Sequence, residues 1–136
     1  MIVVFDTNVW VSAMHFEKRQ GPPFLSLKLA RKRDVIATCY ELQEEIHRIL
    51  VEKFGWDRSA ARARLNFLLA KSVQVSITGR LHVCRDPNDD MVLECAVAAG
   101  AQCIVSGDKD LLALDPYNGI RIVSPAEFLA LESSQR

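Results

Sequence analysis

The sequence predicts an α/β fold: a single domain of about five parallel strands with helices on both faces of the sheet. Three observations predict it. Short apolar runs rich in β-branched residues alternate with helix-period segments along the whole chain. Capping and turn residues separate them. No linker, repeat or low-complexity stretch divides the 136 residues, a length that suffices for one sizeable core. Residues 1–132 are expected to form the domain, and 133–136 a frayed C-terminal tail.

Ile2-Val3-Val4-Phe5 reads as a buried first strand, ending at Asp6-Thr7-Asn8 before an apolar helical segment. Gln20-Gly21-Pro22-Pro23 breaks the chain, and apolar residues from Phe24 onward suit a helix closing at Arg31-Lys32-Arg33. That basic run matches the negative end of a helix dipole as well as it matches a nucleic-acid contact. Asp34 to Thr38 is the second strand, and residues 40–53 form an amphipathic helix with Leu42, Ile46, Ile49 and Leu50 on one face. Asp57 is placed to cap the next helix, and Ser72 to Ile77 alternates as a third strand would. Asp86-Pro87 opens a helix that Gly100 closes. Cys103 to Ser106 and Ile120 to Val123 are the last two strands, and Ser124-Pro125-Ala126-Glu127 is a capping box for the final helix.

Composition narrows the function classes. The hydrophobic share of 49% with 25% charged residues is that of a soluble globular protein. No apolar run approaches the ~18 residues that span a bilayer, so no membrane role is expected. The N-terminal residues lack a signal-peptide pattern, and a cytoplasmic location is expected. Cys39, Cys84, Cys95 and Cys103 are too scattered for a zinc site and are expected to be free thiols. The zero net charge is unevenly distributed: residues 1–85 hold 14 Lys and Arg against 8 Asp and Glu, and residues 86–136 hold 3 against 9. A basic surface beside an acidic one suits a polyanion held near a carboxylate-bound metal.

In open parallel sheets ligands bind beyond the carboxyl ends of the strands, where strand order reverses. Asp6 ends the first strand, and Asp108 follows the fourth. Asp89 lies on the helix that feeds the fourth strand, with Asp86 and Asp90 as neighbouring alternatives. A fourth acid must come from Glu41, Glu44, Glu45 or Glu52. At ~100° per residue, Glu45 lies roughly 85° from the centre of the apolar stripe, against roughly 105° for Glu52 and 125° for Glu41, with Glu44 almost opposite. Glu45 is the acid expected to face inward. Four converging acids repel one another unless a cation offsets them, which points to Mg²⁺ or Mn²⁺ held by carboxylate oxygens. The positive end of the helix dipole is expected to keep Asp89 ionised. Lys18, Arg19, Arg48 and Lys53 are candidate phosphate contacts.

Asp6-Thr7-Asn8-Val9, Glu45-Ile46 with Ile49-Leu50, Asp86-Pro87-Asn88-Asp89 and Ser106-Gly107-Asp108-Lys109-Asp110-Leu111-Leu112 resemble, in order and spacing, the motifs of the PIN-domain family. The resemblance is to the VapC-like toxins of toxin–antitoxin systems and covers nearly the whole chain. It implies that Asp6, Glu45, Asp89 and Asp108 are the four acids, that Asn8 orients the first, and that Ser106 and Asp110 support the site. It also implies an Mg²⁺- or Mn²⁺-dependent endoribonuclease that cuts single-stranded RNA to leave a 3′-hydroxyl and a 5′-phosphate. A homodimer and an antitoxin partner belong to the same implication. The alternative is a PIN-like RNA- or partner-binding module with little catalysis. A dehalogenase-type phosphatase would need Asp at position 8, where Asn stands, and the glycine-rich nucleotide-binding motifs do not occur.

Overall fold

The computed structural model describes residues 1–134, with side chains through 131. Five strands form one parallel sheet: β1 (Ile2–Phe5), β2 (Val35–Thr38), β3 (Val73–Gln74), β4 (Cys103–Val105) and β5 (Arg121–Val123). Their order across the sheet is β3-β2-β1-β4-β5. The chain therefore starts in the middle, builds outward on one side, and crosses to build the other. The reversal falls between β1 and β4, where Val4 pairs with Ile104.

Seven α-helices surround the sheet among the described residues: α1 (Thr7–His15), α2 (Pro22–Arg33), α3 (Tyr40–Glu52), α4 (Arg58–Leu68), α5 (Pro87–Ala99), α6 (Lys109–Leu112) and α7 (Pro125–Ser134). The two-residue alternation of a strand explains why both faces are covered. Val3 and Phe5 of β1 point into one apolar layer with Trp10, Ile46, Leu50, Leu65 and Phe128. Val4 points into the other, with Leu42, Leu93, Ile104, Leu111 and Ile122. No described helix is long and apolar enough to cross a membrane. All four cysteines are free.

The caps read from the sequence are present. The Asp57 carboxylate accepts from Ala60 N–H at 2.9 Å, and Asp86 from Asn88 N–H at 2.9 Å. Ser124 and Glu127 exchange hydrogen bonds of 3.0 and 3.1 Å. Gly100 ends α5 in the left-handed region at φ 65°, which a residue without Cβ adopts at no steric cost.

Three local features differ from the expectation. The third strand is two residues long rather than Ser72 to Ile77. Its only neighbour among the described residues, β2, ends at Thr38, whose carbonyl accepts from Val75 N–H at 2.9 Å. Beyond that point the backbone has no strand to pair with. The second feature is the 3₁₀ turn Glu17–Arg19, and the third is α6, one turn long; neither is long enough to show periodicity. Of the expected frayed tail 133–136, residues 133 and 134 lie within α7, and residues 135–136 lie outside the described residues.

The segment 75–86 carries no regular structure, yet α5 holds it at two points. Glu94 accepts from the N–H groups of Thr78, Gly79 and Leu81, the latter two at 3.2 Å. Asp90 accepts from the N–H groups of Val83 and Cys84, both at 2.8 Å.

Candidate metal centre

The strand reversal brings two acids to one edge of the sheet. Asp6 leaves β1 as the N-cap of α1, and Asp108 follows β4 as the N-cap of α6. Asp108 Oδ1 accepts from the N–H of Asp110 at 2.8 Å and of Leu111 at 3.2 Å. These bonds fix its side chain in the turn and explain why a four-residue helix starts there. Ser106 connects the two acids. Its buried hydroxyl donates to Asp6 Oδ2 at 2.7 Å and accepts from Asp108 N–H at 3.0 Å.

The first turn of α5 supplies the third acid. Its three neighbouring aspartates separate by partner. Asp86 caps the helix, Asp90 takes the two loop N–H groups, and Asp89 is 4% exposed with an oxygen, Oδ2, that has no hydrogen-bond partner. A buried carboxylate oxygen without a partner is costly, and a cation would satisfy it. Carboxylate oxygens of Asp89, Asp108 and Asp110 lie within 4.8 Å of one another, a spacing that one ion can bridge. An all-carboxylate donor set suits a hard divalent cation such as Mg²⁺ or Mn²⁺.

Electrostatics agree with this geometry. Burial pushes the Asp89 carboxyl up to about 7, helped by the charges of Asp108, Asp6, Asp86 and Asp110. The helix dipole expected to keep Asp89 ionised is opposed in the metal-free protein by burial and neighbouring anions, which leave the carboxyl partly protonated near pH 7. Burial also raises the Asp6 carboxyl, against the Ser106 hydroxyl and the Thr7 N–H, with Asp108 adding to the rise. Asp90 goes the other way. Despite its burial, the N–H groups of Cys84 and Val83 hold it below the usual carboxylate range. Burial, with Asp90 and Asp89 nearby, pushes the Cys84 thiol up to about 12.

Three of the expected residues stand apart. Asp6 is tied to Asp108 through Ser106 but is not among the three acids within 4.8 Å of one another. Glu45 is turned inward to 15% exposure, but its carboxylate is taken by Arg48 at 2.6 and 3.1 Å, and it is not among the three acids within 4.8 Å. Asn8 is exposed on the first turn of α1, and the side-chain bond that holds Asp6 comes from Ser106. Asp110 enters the three-acid group and pairs with Arg85 at 2.8 Å. Sequence reasoning passed over Arg85. Its only signal was its place directly before Asp86, at the edge of an acidic motif.

A family profile described as the PIN domain matches residues 2–110. The chain belongs to the PIN-domain family. Members of this family are generally nucleases, and the acid-lined edge lies within the matched region or at its limit. No curated protein matches the chain. Among solved structures it is similar to VapBC2 from Rickettsia felis, determined bound to a DNA fragment from their promoter, with a TM-score of 0.61 at 16% identity over 90% of this chain and 97% of that one. It is also similar to PAE2754 from Pyrobaculum aerophilum, with a TM-score of 0.57 at 18% identity over 97% of this chain and 89% of that one. At these identities the likeness is one of fold.

Proposed function

We propose that the chain is an endoribonuclease that cleaves single-stranded RNA with Mg²⁺ or Mn²⁺, acting in the cytoplasm as the toxin of a toxin–antitoxin pair. The observation that carries the reading is the unpartnered, buried Oδ2 of Asp89, set among acids at the strand reversal of a PIN fold. Asp89 and Asp108, which with Asp110 lie within 4.8 Å of one another, would hold the ion, with Asp6 drawn in beside Asp108 and Glu45 completing the set once Arg48 releases it. A hard divalent ion bound there supplies a nucleophilic water and offsets charge on the phosphodiester. The chain's own groups do the positioning. Ser106 fixes the oxygen of Asp6 that it donates to and ties that residue to Asp108. The N–H groups of Asp110 and Leu111 fix Asp108. Capture of Asp90 by the loop leaves Asp89 as the acid of α5 that faces the site. Hydrolysis then breaks the P–O3′ bond, leaving a 3′-hydroxyl and a 5′-phosphate.

The likeness to a VapBC2 complex supports an antitoxin partner, and a homodimer is proposed with it. The test is incubation of the purified protein with a mixed RNA pool in Mn²⁺ or in EDTA, beside Asp6→Asn. Cleavage by the wild type in Mn²⁺ alone, lost in the variant, is expected. A wild type that binds RNA without cutting it would leave the binding-module reading instead.

A further inference from the structure

The acid-lined edge needs a cation of its own. Asp6, Asp89, Asp108 and Asp110 act on one another at this edge, and a phosphodiester drawn toward them meets like charge. The Arg85 guanidinium stands beside that edge. Arg85 Nη2 pairs with Asp110 Oδ1 at 2.8 Å, while 87% of the Arg85 side chain is exposed. The pair therefore takes one terminal nitrogen of the group and leaves most of its donors in solvent. Its backbone is placed firmly. The two preceding residues donate their N–H groups to the buried carboxylate of Asp90, and the following residue caps α5.

Resting on the nuclease reading above, we propose that Arg85 is the substrate-binding residue of the site, its guanidinium gripping a phosphate of the RNA strand beside the metal-binding acids. A planar fork of N–H donors matches two phosphate oxygens, which a lysine cannot do. Surface ion pairs contribute little to stability, so stability alone gives little reason for an exposed arginine here. Its position beside the acids is what counts, since that is where a polyanion must be drawn in.

The experiment is single-turnover cleavage of a labelled RNA in Mn²⁺ by wild type, Arg85→Ala and Arg85→Lys, with protein concentration and salt both varied. Arg85→Ala is expected to raise the half-saturating concentration about tenfold with little change in the maximal rate, as loss of uniform binding does. The slope of log affinity against log salt should fall by about 0.7, the value for one phosphate contact on a single strand. Arg85→Lys should keep the slope but not the affinity. Unchanged saturation and slope in Arg85→Ala would overturn the proposal, and so would full recovery in Arg85→Lys, which would reduce the role to balancing Asp110. No cleavage by the wild type would sink the nuclease reading and this inference together, whereas wild-type cleavage with an indifferent Arg85→Ala sinks this inference alone.

Discussion

The hydroxyl of Ser106 donates to Asp6 Oδ2 across 2.7 Å, joining residues one hundred positions apart at the carboxyl ends of two adjacent strands. Ser106 is fully buried and Asp6 is 4% exposed, so neither side chain has ready access to solvent. Deleting the donor leaves a buried carboxylate short of a partner.

Ser106→Ala is therefore expected to cost about 1–3 kcal/mol of stability, the usual penalty for an orphaned buried acceptor. The loss should be largest at high pH, where Asp6 is charged, and should shrink as acid neutralises it. Ser106→Thr, which keeps the hydroxyl, should retain activity. Denaturant melts at pH 5 and pH 8 decide the matter. An alanine variant as stable as the wild type at both would mean that the bond is energetically idle.

The metal-free protein should lose stability as pH rises toward 8. Asp89 has its folded carboxyl raised to about 7 from an ordinary 3.8, chiefly by burial. A raised acid binds more protons folded than unfolded, so its contribution is present below the unfolded value and lost through about 7. Asp6 acts in the same direction. Asp89→Asn should flatten this arm in EDTA. In the wild type, Mn²⁺ should compete with the proton, its affinity rising with pH up to about 7 and then levelling. Stability that climbs from pH 6 to pH 8 in EDTA would contradict the prediction.

Asp86 and Asp89 should separate cleanly. Asp86→Asn should be nearly neutral, since Asn caps about as well as Asp, and Asp86→Ala should cost about 1 kcal/mol. Asp89→Asn should leave the fold intact, with Mn²⁺ binding and cleavage both falling. Thermal melts with and without Mn²⁺, alongside cleavage assays, read all three variants. Activity kept by Asp89→Asn but lost in Asp86→Asn would move the third ligand to Asp86.

Glu45→Gln is expected to reduce cleavage far more than Glu44→Gln. Both side chains are ion-paired, Glu45 with Arg48 and Glu44 with Arg62, but Glu45 is 15% exposed against 37% for Glu44. Equal rates in the two variants would show that Glu45 stays with Arg48 and takes no part in the site.

The strands and the two acids that follow the first and fourth of them were legible because they rest on patterns that repeat. Apolar β-branched runs marked the strands, and Asp6 and Asp108 each sit just beyond one. The caps at Asp57, Asp86 and Ser124 were legible for the same local reason: a cap involves residues two or three positions apart. What depends on distant partners was not. The third strand looked as long as its alternation, Val73, Val75 and Ile77, but its true length is set by where β2 ends. The rise of the Asp89 carboxyl was not legible because its causes, burial and four other acids, are assembled by the fold. Arg85 and Asp110 are 25 positions apart, and nothing in the linear order joins them.

The loop 75–86 would pass for an ungoverned connection in any reading of regular structure. Five of its amides, those of Thr78, Gly79, Leu81, Val83 and Cys84, end on just two side chains, Glu94 and Asp90. These amides should exchange with solvent slowly and together, as a cooperative opening unit rather than as a fraying strand end. Both side chains belong to α5, the helix that also carries Asp89. Detaching the loop thus frees two carboxylates, one of them the buried Asp90, on the helix that carries the unpartnered one.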